Sequence, residues 1–249
     1  VLIFRRIFNF EKAKVEQMEK RLNRRYVPGT GFPLRANLLI AGRACPAKLQ
    51  DMSGNGVGLL LSQDLALDPG QMVRLDLELG QHRLEIDARV AHLQPNDQGV
   101  YCGLGLKFSE FLSQKAYLQL LQPVVIGQSL QPMAEDHSAR HEPGFHKQIF
   151  IGESDSQLTV STALGNGPTP HSFDFRMSDF FCQGSLQTGQ LESGSIAPSD
   201  VSPASVSNPV FETSGGLHEE IHQMFRWILP NLAPAVPANV RAFLQQFAG

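Results

Sequence analysis

The sequence predicts a mainly β protein built around a small antiparallel barrel or sandwich. Three observations carry that prediction. Between residues 33 and 108 apolar and polar residues alternate, most clearly where Val73, Leu75, Leu77 and Leu79 interleave with Arg74, Asp76 and Glu78. Turn-forming residues separate the alternating runs, as at Ser53-Gly54-Asn55-Gly56. The runs are all neighbours in sequence, and closing them into a barrel hides the sheet edges.

The elements follow in order. Val1-Leu2-Ile3-Phe4, with Arg5-Arg6 behind it, has the composition of a membrane segment's exit but is read as the start of a helix. Residues 10–24 carry Val15, Met18 and Leu22 at helical steps, so residues 1–23 are assigned to an N-terminal helix, ended by Pro28, Gly29 and Gly31. Strand patterns then run through Leu34, Ala36 and Leu38, through Ala47 and Leu49, and through Val57, Leu59 and Leu61. They continue with the run from Val73, with Leu84, Ile86, Ala88 and Val90, and with the glycine-rich stretch from Tyr101 to Phe108. Residues 109–122 read as a helix with Pro123 near its end, in a barrel-plus-helix domain assigned to 24–128.

Residues 129–144 are polar and read as a linker. Residues 145–184 hold strand-like runs at Gln148–Ile151, Leu158–Thr162 and Ser172–Phe175, a small β-rich appendage in which Phe173, Phe175, Phe180 and Phe181 belong to a buried strand and its continuation. Residues 185–216 are dominated by Ser, Gly, Pro and Gln and are expected to be disordered. Two tail helices are expected at 217–229 and 237–248, within a final segment 217–249.

Composition narrows the function classes. A chain of 249 residues, 42% hydrophobic, has room for one sizeable core or two small ones. A net charge of -3 and a pI near 6.3 do not suit a nucleic-acid polymer as partner. Cys45, Cys102 and Cys182 are odd in number and far apart, which indicates free thiols in a reducing compartment and a cytoplasmic protein. No apolar run is long enough to span a bilayer.

The sharpest chemical feature is Asp51-Met52-Ser53-Gly54-Asn55-Gly56, downstream of Arg21, Arg24 and Arg25. Glycines allow close approach to the backbone, and Ser53 brings a hydroxyl. The carboxylate of Asp51 suits an N–H edge such as guanine's. Arginine presents a planar fork to phosphate and to the O6 and N7 acceptors of guanine. A turn of this kind facing an arginine loop is a cradle for an anionic purine nucleotide. Taken alone, the six residues are also an ordinary polar β-turn, and the arginines an ordinary basic helix end.

On these residues the sequence resembles the PilZ family of cyclic di-GMP receptors, in which an Arg-x-x-x-Arg loop precedes an Asp/Asn-x-Ser-x-x-Gly motif. Asp51, Ser53 and Gly56 match the second motif, and Gly103, Gly105 and Phe108 are family-like. The resemblance covers roughly residues 21–128. It implies a six-stranded barrel closed by a helix, cyclic di-GMP as ligand, and Arg21, Arg24, Arg25, Asp51, Ser53 and Gly56 as its binding residues. Catalysis, a cofactor and a metal are not implied.

Two registers are open for the arginine motif. Arg21 to Arg25 satisfies it literally, whereas starting from Arg24 puts Pro28, which has no charge or donor, in the second arginine's place. The first alternative to a receptor that acts through an unknown partner protein is therefore a degenerate barrel that binds protein only. The second is a metal-dependent hydrolase, since His218-Glu219-Glu220-Ile221-His222 fits the HExxH zinc pattern. No His, Asp or Glu follows His222 to complete that ligand set. His137, His141 and His146 lack zinc-site spacing and are expected to be exposed.

Overall fold

Alternation generates six strands in the first half of the chain: β1 (Leu34–Ile40), β2 (Arg43–Ser53), β3 (Gly56–Leu61), β4 (Met72–Leu79), β5 (His82–Asn96) and β6 (Gly99–Lys107). In this computed structural model they close into an antiparallel barrel of order β1-β2-β3-β6-β5-β4. Residues 3–8, 24–40, 42–62, 65–133, 144–164, 169–196 and 215–249 are described. The expected barrel over 33–108 is present. Leu38, Met52, Val57, Leu59, Leu75, Leu77, Ala88 and Cys102 are fully buried inside it, each from the apolar phase of its strand. A fully buried leucine contributes about 1.5–3 kcal/mol, so a one-residue slip that turned this set to solvent would be prohibitive.

Helix α1 (Phe111–Ser129) runs past Pro123, where it was expected to stop. Proline inside a helix costs about 3 kcal/mol. The buried side chains of Val124, Val125 and Ile126 beyond it return roughly 1.5–3 kcal/mol each, which decides for continuation. The helix is buried from Lys115 to Gly127, with the polar Lys115, Gln119 and Gln122 among its buried residues.

Residues 3–8 do not form the expected helix. They make bends and a turn that bury Ile3, Phe4, Ile7 and Phe8. Gln119, fully buried on α1, explains the irregular path. Its Oε1 accepts from the Ile3 and Phe4 amides at 3.1 and 3.2 Å, and its Nε2 donates to the Phe4 and Phe8 carbonyls at 2.8 and 3.1 Å. One amide side chain thus satisfies backbone groups that a helix would have paired internally. The remainder of the expected N-terminal helix, residues 9–23, lies outside the described residues.

The chain divides into two compact units, residues 1–124 and 125–249. The second unit is a six-stranded antiparallel meander: β7 (Gln131–Pro132), β8 (Phe145–Gly152), β9 (Ser156–Ala163), β10 (Thr169–Met177), β11 (Phe180–Ser185) and β12 (Leu191–Ser195). Helices α2 (Gly215–Ile228) and α3 (Ala238–Gln245) follow it. Phe173 and Phe175 face the helices as a buried strand should. Phe225 stacks on Phe173 at 5.5 Å, and Phe243 and Phe247 meet the same ring edge-on.

Two expectations are corrected here. Residues 185–196, assigned to a disordered stretch, complete β11, a turn and β12, and α2 begins at Gly215. Strand β12 reads Leu-Glu-Ser-Gly-Ser and has no apolar period. It is held by ladder pairing to β11, with Ser193 opposite Cys182. The linker expected over 129–144 begins with the end of α1 and the two residues of β7. Residues 134–143, with His137 and His141, and residues 197–214 lie outside the described residues.

Candidate functional site

Strands β2 and β3 meet at Gly54-Asn55, with Ser53 paired to Gly56. Helix α1 fixes this corner: the fully buried Tyr117 hydroxyl donates to the Ser53 carbonyl at 2.7 Å, with the Gly56 carbonyl at 3.2 Å. Ser53 is itself only 4% exposed. Its hydroxyl lies 3.2 Å from Asn55 Oδ1 and 3.3 Å from the Gly56 carbonyl, so it ties the turn together. Space explains Gly56, since a Cβ there would sit 3.0 Å from the Leu104 carbonyl.

The arginine segment is brought to this corner by Tyr26. Its backbone exchanges two hydrogen bonds of 2.8 Å with Met52, and both side chains are buried. Alternation on either side of that bridge then turns Arg25 and Asp51 outward together. Arg25 Nη1 donates to Asp51 Oδ1 at 2.6 Å and to the Tyr101 hydroxyl at 2.8 Å, and that hydroxyl donates to Asp51 Oδ2 at 2.8 Å. The triangle is half open: the Asp51 side chain is 15% exposed and that of Arg25 50%. Partial burial opposes the charge on Arg25, but Asp51 and Tyr101 outweigh it and raise its pKa. Burial, then the Asp51 carboxylate, raises the pKa of Tyr101. Both shifts keep the Arg25 guanidinium charged and the Tyr101 phenol neutral at neutral pH.

Beneath the triangle the barrel wall is bare. Asp51 opposes Gly58, Gly58 opposes Gly103 and Gly103 opposes His92, while the next row runs from Ser53 through Gly56 and Gly105 to Arg89. A Cβ at Gly58 would collide with the Asp51 carboxylate and the Tyr101 hydroxyl, and one at Gly103 with the His92 imidazole. His92 in turn stacks on Tyr101 at 5.5 Å. Four outward-facing glycines thus make a smooth floor on which the polar side chains lie flat.

Of the residues expected to bind, Arg25 and Asp51 are joined directly. Ser53 and Gly56 form the adjoining turn. Arg24 lies beside them, exposed, with its guanidinium 5.7 Å from the centre of the Tyr26 ring. Arg21 lies outside the described residues. Tyr101, Tyr117, Gly58 and His92 were missed. The alternation of β3 and β6 could have placed Gly58 and Tyr101 on the outer face. An isolated tyrosine or histidine in a strand or helix carries no other signal.

The zinc pattern does not assemble. His218 Nδ1 lies 2.7 Å from Ser193 Oγ, and Glu219 reaches towards Arg226 at 3.5 Å. Among the described residues no three His, Cys, Asp or Glu side chains gather as a metal site. Also among the described residues, no helix is long and apolar enough to cross a membrane.

The outer face of this closed six-stranded barrel thus carries an acidic turn, a tethered arginine and a glycine floor. Residues 19–125 match the PilZ domain family model, and this segment of the chain is a PilZ domain. Among solved structures, the chain is similar to the PilZ domain of YcgR from Escherichia coli with c-di-GMP, at 13% identity over 40% of this chain and 92% of that one, TM-score 0.31. It is similar to an uncharacterised Legionella protein at 15% identity over 40% and 90%, TM-score 0.29. It is similar also to the PlzA protein of Borreliella burgdorferi in complex with c-di-GMP, at 10% identity over 70% and 86%, TM-score 0.33. No curated protein matches the chain.

Proposed function

We propose that the barrel is a cytoplasmic receptor for cyclic di-GMP that acts through a partner protein and catalyses nothing. The PilZ assignment supports the ligand class. The observation that carries the reading is the Arg25–Asp51–Tyr101 triangle on its glycine floor. Asp51 would accept from the N–H edge of a guanine, Arg25 and Arg24 would take phosphate or the purine face, and Arg21 would add a third cation. Binding requires the Arg25–Asp51 pair to open. A half-exposed ion pair is worth about 0–1 kcal/mol, whereas each new hydrogen bond to a charged group contributes roughly 1.5–3 kcal/mol. The exchange favours the ligand.

One observation supports the alternative of a barrel that binds protein only: Arg25 and Asp51 already satisfy each other, and Pro28 stands where the later register needs an arginine. Calorimetry with cyclic di-GMP separates the two. The receptor reading expects saturable binding that Arg25→Ala weakens strongly. Absence of binding at high micromolar ligand leaves the protein-only barrel. The region beyond residue 125 is proposed to engage the partner.

A further inference from the structure

The glycine floor does not end at Asp51. Its second row finishes at Arg89, three strand spacings or about 14 Å from Ser53. There a cleft of about 630 Å³ opens, lined among others by Asn55, Gly70, Arg89, Ala91, Gly105 and Lys107. Its outer wall is fixed, because the Gly70 amide donates to the Val90 carbonyl at 2.7 Å and the Val90 amide to Gln71 at 2.9 Å. Gly70 has φ +91°, where a side chain is disfavoured, and the Arg89 guanidinium lies against its bare face: a Cβ would sit 3.5 Å from Nη2. A register shift between Val90 and His92 marks a bulge at Ala91, the kind of irregularity that bends a strand and re-aims its side chains.

The charge of this cleft is uncommitted. Lys107 opposes Asp87 across the ladder, but Arg74 takes that carboxylate at 3.1 Å. Among the described residues neither Arg89 nor Lys107 forms an ion pair, and the Asn55 amide nitrogen makes no hydrogen bond. An arginine fork, an ammonium and an amide donor around a side-chain-free floor are a donor set without an acceptor, which suits phosphate oxygens.

We propose that Arg89, Lys107 and Asn55 form an accessory anion subsite, joined to the Arg25–Asp51 cluster by the glycine floor, that takes a phosphate group of the nucleotide ligand. The ligand's identity rests on the receptor reading above; the preference for phosphate rests on the cleft alone.

Two probes test this on the full chain. With inorganic pyrophosphate, the amide resonances of Gly70, Gly105 and Lys107 should shift saturably. The shifts should vanish in R89A/K107A and persist in R35A/R43A, which removes the same charge from β1 and β2. With cyclic di-GMP, R89A/K107A should weaken binding about tenfold or more and flatten its salt dependence, while R35A/R43A should not. If cyclic di-GMP binds the wild type and R89A/K107A equally, the subsite is overturned and the receptor reading stands. If cyclic di-GMP fails to bind but the pyrophosphate shifts depend on Arg89 and Lys107, the receptor reading falls and the anion subsite stands. If neither probe has an effect, both are overturned.

Discussion

Replacing Gly58 by alanine tests the site without touching any group expected to bind. The residue lies in β3 opposite Asp51. A Cβ there would lie 2.8 Å from Asp51 Cγ, against the carboxylate and also against the Tyr101 hydroxyl. Both obstacles are side chains, so the barrel can keep its backbone if Asp51 and Tyr101 rotate away. That move breaks three hydrogen bonds, of 2.6, 2.8 and 2.8 Å. Alanine in a strand gains about 0.5–1 kcal/mol over glycine, and the loss of a partly exposed polar cluster offsets this by about 1–2 kcal/mol. The net change in stability should lie between zero and a loss of about 1.5 kcal/mol, a fall in Tm of no more than roughly 6–12 °C. Ligand affinity should fall by one to two orders of magnitude, about 1.4–2.8 kcal/mol, because Asp51 no longer presents its edge. Thermal unfolding by circular dichroism and calorimetry with cyclic di-GMP read the two quantities separately. A Gly58→Ala protein that folds and binds as tightly as the wild type would refute the placement of the ligand on this floor.

Four further outcomes are expected. Tyr101→Phe removes the hydroxyl shared by Arg25 and Asp51 and should weaken binding about tenfold, measured by calorimetry, with the barrel's circular dichroism unchanged. Tyr117→Phe removes the hydrogen bond to the Ser53 carbonyl inside the core and should cost about 1–3 kcal/mol in chemical denaturation, because it takes a donor from a buried acceptor. Ser53→Ala should loosen the turn and weaken binding more mildly than Arg25→Ala, since the Ser53 hydroxyl is committed to Asn55 and Gly56; equal losses in a titration would contradict this. Burial, then Arg226 and His218, lowers the pKa of His222 below its unfolded value. Its neutral form therefore supports folding fully above the unfolded pKa near 6.5, and that support is lost as pH falls below it. Unfolding melts between pH 7.5 and 5 should show a loss of stability that His222→Gln reduces.

The legible parts of this molecule are those where one residue type repeats at a fixed step. Val73, Leu75, Leu77 and Leu79 announce β4 because these apolar inward positions alternate with the polar Arg74, Asp76 and Glu78, and the same logic finds the strands around it. Where burial and pairing come from single residues, the sequence is silent. Gln119 ties down residues 3–8 through one amide group, a role no spacing reveals. Strand β12 is held by backbone bonds, for which Ser and Gly serve as well as Val. Pro123 misled for the opposite reason: its local cost is real, and burial beyond it outweighs that cost. Within the site, Asp51, Ser53 and Gly56 stand out because their turn is short and polar. Tyr101 is 50 residues from Asp51, and only the pairing of β2, β3 and β6 brings the two together.

The four glycines of the floor carry an energetic argument of their own. Gly56, Gly58, Gly103 and Gly105 occupy adjacent outward positions on β3 and β6. Each glycine in a strand costs about 0.5–1 kcal/mol relative to alanine, so the set costs about 2–4 kcal/mol. Domains of this kind are stable by only about 5–15 kcal/mol in total. Fold requirements account for part of that cost at most: Gly56 meets a backbone carbonyl, but the nearest obstructions at Gly58 and Gly103 are the side chains of Asp51, Tyr101 and His92, and at Gly105 a Cβ would come no closer than 3.9 Å to another atom. Those obstructing side chains need the glycines only in order to lie flat on the wall. A barrel that had merely to fold could replace Gly105 by a β-branched residue and gain stability. Keeping this wall bare makes sense if something flat must reach the backbone between Arg25 and Arg89, and a purine nucleotide with phosphates at its margins has that shape and charge.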